Sequence, residues 1–255
     1  MTRSLDDPQP GEIKRKPYKA GGNATPILVM SDWHVEERVD PATVNDVNEF
    51  NPQIAEQRIK RTFAKALELI DTERTISNVK DMVLALLGDF ITGYIHEELM
   101  ESNYMSPTEA CLFVEEQIVT GIEFLKKEAG IKHLLIPTAN GNHGRTTAKM
   151  HISTDYKNSF EWLMYKHLQR YYRNDPKVTW KVSNGHKNWI EVQGKWIRCT
   201  HGHGFKYNGG VLGAGVPIMR KIYRWDLQKT AWLDLFGHLH FYLPGEKFVQ
   251  NGCLI

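Results

Sequence analysis

Five short patterns carry residue types that can hold metal ions or move protons: Asp32-Trp33-His34, Gly88-Asp89, Gly141-Asn142-His143, His201-Gly202 and Gly237-His238-Leu239-His240. Carboxylate and amide oxygens mixed with imidazoles suit divalent Mn, Fe or Zn better than the all-oxygen shell that Ca prefers. Alternate residues of an extended segment share a face, which predicts two-ligand clips at Asp32/His34 and at His238/His240. The candidate ligands Asp32, His34, Asp89, Asn142, His201, His238 and His240 are too many for one ion. Two ions sharing one carboxylate would use them all. Ions about 3.5–4 Å apart lower the pKa of a water between them, polarise a phosphoryl group and stabilise its developing charge. In-line displacement then needs a proton for the leaving oxygen, and His143 is the candidate donor.

Each pattern follows an apolar run that must position it. The run at 82–90, MVLALLGDF, reads as a strand buried on both faces, ending abruptly at Gly88 and Asp89. Ligands of open α/β sheets sit at such strand ends. The runs at 27–30, 134–136, 196–200 and 232–236 end the same way, at Asp32, Asn142, His201 and His238. Between them, helical spacing of Ile54, Ile59, Phe63, Ala66, Leu67 and Ile70 predicts a crossover helix over 53–77. Ser106-Pro107-Thr108-Glu109 opens a second helix running to about 129. A third is expected over 154–172, with a core stripe of Tyr156, Phe160, Leu163 and His167. A fourth is expected over 216–229, where Ile218, Ile222 and Trp225 fit a core stripe and Tyr223 and Trp225 with Arg220, Lys221 and Arg224 could instead form a nucleic-acid face. The pieces 178–182, 188–192 and 195–200 read as consecutive strands, which suggests a second sheet packed on the first.

Residues 35–52 form too long a loop for an ordinary connection and are expected to overhang the site. His96, in the loop after the Gly-Asp pattern, is a candidate substrate contact or a surface-loop histidine. The glycine-dense stretch 202–215 could cradle phosphate or serve as a flexible connector. Trp33, between two candidate ligands, is expected to pack beneath them.

One core suffices for 255 residues, so an arm at 1–25 and a single domain at 26–255 are expected. Charge is uneven: from Arg145 onward there are 17 Lys and Arg against 7 Asp and Glu, and before it 15 against 23. A basic half fits a phosphate-bearing substrate, or else solvated lysines on helix faces. Cys111, Cys199 and Cys253 have neither disulfide-framework nor thiolate-zinc spacing and suit a reducing cytosol. No run approaches the ~18 apolar residues of a membrane span, and no secretory h-region opens the chain.

Taken singly, each patterned residue could be a cap or a core polar group. The ordered set, D-x-H, G-D, G-N-H, H-G and G-H-x-H, resembles the calcineurin-like metallophosphoesterase superfamily from residue 27 to about 255. That resemblance implies an α/β fold, a four-layer α-β-β-α sandwich of two packed mixed sheets flanked by helices. It implies that Asp32, His34, Asp89 and His240 hold one divalent ion, and Asp89, Asn142, His201 and His238 the other. Asp89 would bridge them, with Mn2+ expected and Fe, Zn or Ni as alternatives. His143 would orient the phosphate and protonate the leaving group, and His203 would line the site without ligating. Many relatives carry an acid after G-N-H, where this chain has Gly144; Arg145 could reach substrate phosphate or make a structural salt bridge.

GDFITGYIHEEL and GNHGRTT are similar to phosphoesterases and DNA-exonuclease-like proteins of tailed bacteriophages, which implies a bacterial or phage-infected cytosol. A phosphodiesterase or nuclease acting on DNA is the first expectation. A phosphomonoesterase on the same centre and a non-catalytic interaction module are the alternatives. Relatives usually carry further strands or a cap after G-H-x-H, so a truncated or short form is expected.

Overall fold

The structure is a computed structural model and describes residues 21–206 and 213–255. The expected N-terminal arm lies outside the described residues except for its last few, and so does the middle of the 202–215 stretch. In chain order the first elements are β1 (Gly22–Ala24), β2 (Ile27–Met30), α1 (Pro52–Arg74), β3 (Ser77–Val79), β4 (Asp81–Leu86), α2 (Glu97–Ser102) and α3 (Pro107–Glu128). There follow β5 (His133–Pro137), α4 (Phe160–Tyr171), β6 (Val178–Lys181), β7 (Asn188–Val192) and β8 (Lys195–Cys199). The last are α5 (Gly215–Asp226), β9 (Leu233–Phe236), β10 (Leu243–Pro244) and β11 (Phe248–Gln250).

The first sheet is wholly parallel, in the order β2-β4-β5-β6. The second is mixed, β10-β11-β9-β8-β7, with β8, β9 and β11 parallel and its two outer strands antiparallel to their neighbours. The strand β6, expected from sequence to begin the second sheet, instead pairs with β5 as the edge of the first. Its neighbour in sequence, β7, starts the second sheet. A short parallel ribbon of β1 and β3 stands apart.

The pleat of β4 explains its unbroken hydrophobicity. Met82, Leu84 and Leu86 face the helical layer of α1, α3 and α4, while Val83, Ala85 and Leu87 meet Ile190, Ile197, Cys199 and Leu235 of the second sheet. On the far side of the second sheet, α5 lays Ile218, Ile222 and Trp225 against Phe236 and Phe248. Four layers result: helices, sheet, sheet, helix.

Local signals set the helix starts. Asn51 accepts the Ile54 N–H at 2.9 Å and Pro52 opens α1, whose Ala55, Ile59, Phe63, Ala66 and Ile70 are buried. Ser106 and Glu109 form a capping box at the head of α3. The helix α4 starts later than its expected position, after a 3-10 turn at Asp155–Asn158. Its expected stripe is also displaced: Leu163 and the His167 side chain are 63% and 67% exposed, and the buried face is Glu161, Met164, Tyr165 and Leu168. The true stripe contains a carboxylate, so an apolar periodicity search passes it by.

Candidate metal centre

The five patterns follow β2, β4, β5, β8 and β9, at the strand ends where the two sheets meet. Their turns interlock through the backbone. Asp32 N–H donates to Gly88 O at 2.9 Å, Ala139 N–H to Leu86 O at 2.9 Å, and Gly237 N–H to His201 O at 2.8 Å. Asp32 also joins the sheets, since both its carboxylate oxygens lie 3.0 Å from the donating His238 N–H. Close approach explains two of the motif glycines: a Cβ on Gly141 would overlap the Asp89 carboxylate, and one on Gly237 that of Asp32. Trp33 packs beneath, edge-on to Phe90, with 2% exposure.

The backbone that aims these side chains is strained. Asp32 (φ 54°), His34 (φ 46°), Asp89 (φ 53°), His238 (φ 77°) and His240 (φ 59°) all occupy the left-handed region. Each such residue costs about 1–3 kcal/mol, a cost that clusters at functional sites. The segments are therefore not extended, and the expected His238/His240 clip is overturned. His240 joins Asp32 and His34, whereas His238 joins Asp89 and His201. Asp32 and His34 do come together, through turns in place of a pleat.

In three overlapping clusters the ligand atoms lie within 4.8 Å of one another: Asp32/His34/His240, His34/Asp89/His143 and Asp89/His201/His238. Asn142 joins the last, its Oδ1 3.2 Å from His201 Nε2. Carbonyls fix two tautomers. His201 Nδ1–H donates to Leu87 O at 2.8 Å and His143 Nδ1–H to Thr92 O at 2.9 Å, which turns both Nε2 atoms into the site.

Burial and charge tune the set. Desolvation drives His34 down to about 3 and His238 down to about 4, so both are neutral imidazoles with lone pairs to offer. Burial raises the Asp32 carboxyl, and the nearby Asp89 charge adds to the rise. Asp89 is as deeply buried, yet His201 and the surrounding imidazoles outweigh desolvation and hold it well below the usual carboxylate range. Burial likewise opposes charge on His201, but Asp89 pushes it up to about 10.

These residues fit a cation. Asp89 Oδ2 is buried without a well-formed hydrogen bond although His201 Nε2 stands 2.9 Å away, and the Nε2 atoms of His34 and His240 face each other at 3.3 Å. Two buried carboxylates ringed by inward-facing imidazole nitrogens are a donor set for divalent metal.

The sequence model of the calcineurin-like phosphoesterase family matches residues 25–253. The chain belongs to this family. It is therefore a metal-dependent phosphoesterase, a hydrolase whose family uses divalent ions. Among solved structures the phosphoesterase is similar to an archaeal phosphodiesterase, at 14% identity over 89% of this chain and 81% of that one, with a TM-score of 0.37. It is also similar to a protein of unknown function from Aquifex aeolicus, at 14% identity over 89% and 88% of the chains, TM-score 0.36. A predicted phosphoesterase from Streptococcus pneumoniae matches at 15% identity over 56% and 66%, TM-score 0.28. No curated protein matches.

Around the centre of the phosphoesterase, the remaining expected residues fall differently. His96 precedes α2 on the surface, its ring 6.4 Å from that of His143. His203 is in no ligand cluster; its ring lies 5.6 Å from His201 and 4.8 Å from His186. Arg145 spends its guanidinium on its own loop, donating to Asn142 O at 2.7 Å and Thr147 O at 3.0 Å. It pairs with no carboxylate among the described residues, so the salt-bridge alternative is not found. The long loop after Asp32 reaches the site through Glu37, whose half-buried carboxyl is raised by burial and lies near His143 and His240. Sequence reasoning passed over two buried carboxylates behind the centre. Glu36 accepts the Thr92 and Gly93 N–H groups at 2.8 and 2.9 Å, and Glu161 accepts those of Phe90 and Gly141. The absence of an acid at Gly144 was the available signal for the second.

Proposed function

We propose that this phosphoesterase is a two-metal phosphodiesterase that cleaves DNA or another nucleic acid. In this reading Asp32, His34, Asp89 and His240 hold one ion, and Asp89, Asn142, His201 and His238 the other. Mn2+ is the first candidate, with Fe, Zn or Ni as alternatives for a set of carboxylates and imidazoles. When bound, the ions supply an activated water and draw charge from the phosphoryl group. The protein's own part is to orient and to move a proton. Asp89 is held by the His143 N–H, donated to Oδ1 at 2.8 Å. His143, with Nδ1 fixed on Thr92 O, delivers a proton from Nε2 to the leaving oxygen. The observation that carries the reading is the overlap of the three ligand clusters at Asp89 and His34, which ties both half-sites into one centre.

The polyanionic substrate is supported by a pocket of about 260 Å³ whose lining includes Gly204 and Phe205, just after His203 in the chain. Lys206, Arg220, Lys221 and Arg224 line it, with no carboxylate among the described lining residues. The test is a hydrolysis panel with metal-stripped and Mn2+-loaded protein on single- and double-stranded DNA, RNA, a generic diester and a generic monoester. Metal-dependent DNA cleavage that weakens steeply with salt is expected. Charge reversal of Arg220 and Arg224 should raise KM for DNA and leave the generic diester unaffected. Turnover of the monoester alone would make the enzyme a phosphatase; bound metal with no turnover would make it a binding module.

A further inference from the structure

We propose that Glu161 is a positioning residue for the phosphoesterase reaction, a carboxylate that fixes the spacing between the Asp89 turn and the Asn142-His143 turn from behind. None of its surface is exposed. Oε1 accepts the Phe90 N–H and Oε2 the Gly141 N–H, both at 2.7 Å. Phe90 directly follows Asp89 and Gly141 directly precedes Asn142, so one planar group holds the two turns whose side chains meet at the centre. In front, Asp89 Oδ1 accepts the His143 N–H, and the turns are thus stapled on both sides.

The support of Glu161 is itself rigid. On α4, Met164, Tyr165 and Leu168 are buried beside it, and the Tyr165 hydroxyl donates to Ala139 O at 3.2 Å, just before the Gly141 turn. Ser159 caps the helix, accepting the Trp162 N–H at 3.2 Å. Gly144 is fitted to this arrangement: a Cβ there would stand 2.9 Å from Glu161 Cγ and 3.3 Å from its Cδ. A carboxylate could therefore reach the same spot from either position, but not from both. Residue 144 is glycine, and α4 supplies the acid.

Each oxygen faces one backbone N–H, so both are needed as acceptors. An amide at 161 would turn an NH2 toward one of the two donors. Buried partners of this kind, one step behind metal ligands, cost about 10- to 100-fold in metal affinity or activity when altered.

The inference rests on the ligand roles proposed for Asp89 and Asn142. Its test compares the full chain with Glu161→Gln, Glu161→Asp and the double variant Gly144→Asp/Glu161→Ala. Mn2+ affinity is measured by calorimetric titration, kcat and KM on a generic diester, and the thermal midpoint alongside. Glu161→Gln is expected to weaken Mn2+ binding and lower kcat by about 10- to 100-fold, with KM little changed. The double variant, which returns a carboxylate to the same place, should recover most of that loss. Unaltered Mn2+ affinity and kcat in Glu161→Gln would overturn the inference. Should that variant not fold, Glu161→Asp and the double variant decide. Wild-type affinity and kcat in Glu161→Asp, or restored folding without restored Mn2+ affinity in the double variant, would overturn it too. A wild-type chain that takes up no Mn2+ in the titration would instead remove the ligand assignment.

Discussion

His201 and Asp89 meet at the floor of the centre, Nε2 to Oδ2 at 2.9 Å, with 0% and 1% of their side chains exposed. The imidazole is tethered from behind by Leu87 O, the carboxylate from the side by the His143 N–H. Neither can turn away from the other.

The Asp89→Asn variant should therefore lose metal before it loses fold. An amide keeps the acceptor for the His143 N–H but removes the charge that the two proposed half-sites would share. Metal content per chain, measured by elemental analysis after desalting, should fall by half or more, and hydrolysis by about 100-fold or more. Full occupancy in the variant would take Asp89 out of the ligand set.

His143→Ala should behave differently. The side chain leaves Thr92 O without its donor, yet the backbone N–H to Asp89 stays. Both ions should be retained, and kcat should fall by about 10²- to 10⁴-fold, least for esters with a good leaving group. Equal loss across leaving groups would remove the proton-donor role.

How much of this was readable beforehand depends on what each feature rests on. The strand β4 announced itself because a strand buried on both faces needs apolar residues at every position, and the ligand patterns stood out because each follows a mostly apolar run. The turns that aim the ligands were not legible. Asp and His enter the left-handed region more readily than most side chains, but they mostly stay out of it, and here the conformation is imposed by backbone bonds between turns far apart in sequence. Glu161 was hidden by its setting on an amphipathic helix, where a carboxylate counts as the solvent face. The membership of β6 was equally hidden: strand spacing along the chain says nothing about which sheet an edge strand joins.

Stability away from the centre offers a separate check. Arg198 is wholly buried and is held by Asp234 at 2.6 and 2.9 Å and by Asp226 at 3.1 Å, joining β8, β9 and the end of α5. Asp234→Ala should strand that guanidinium and cost about 3–5 kcal/mol in urea unfolding. Asp234→Ala with Arg198→Met should recover much of the loss. A single variant as stable as wild type would show that Asp226 alone satisfies the arginine.

Acid stability should depend on His186. Burial, with Lys187 and its neighbours adding, lowers this imidazole to about 4 from an ordinary 6.5. The unfolded chain then binds the extra proton between those values, so stability falls as pH drops from 6.5 to 4. At pH 5 the contribution is about 2 kcal/mol. His186→Gln should flatten the fall between pH 7 and pH 5, read as urea midpoints at each pH. Parallel profiles for variant and wild type would place the acid lability elsewhere.

The contributions of Asp32, His34, Asp89 and Asn142 come from one sheet, and those of His201, His238 and His240 from the other. An ion seated among them would consequently be a rivet through the sandwich as well as a reagent. If an ion binds there, each tenfold rise in free ion above its dissociation constant should tighten the seam between layers by about 1.4 kcal/mol, and a chelator should act on this enzyme as a mild denaturant.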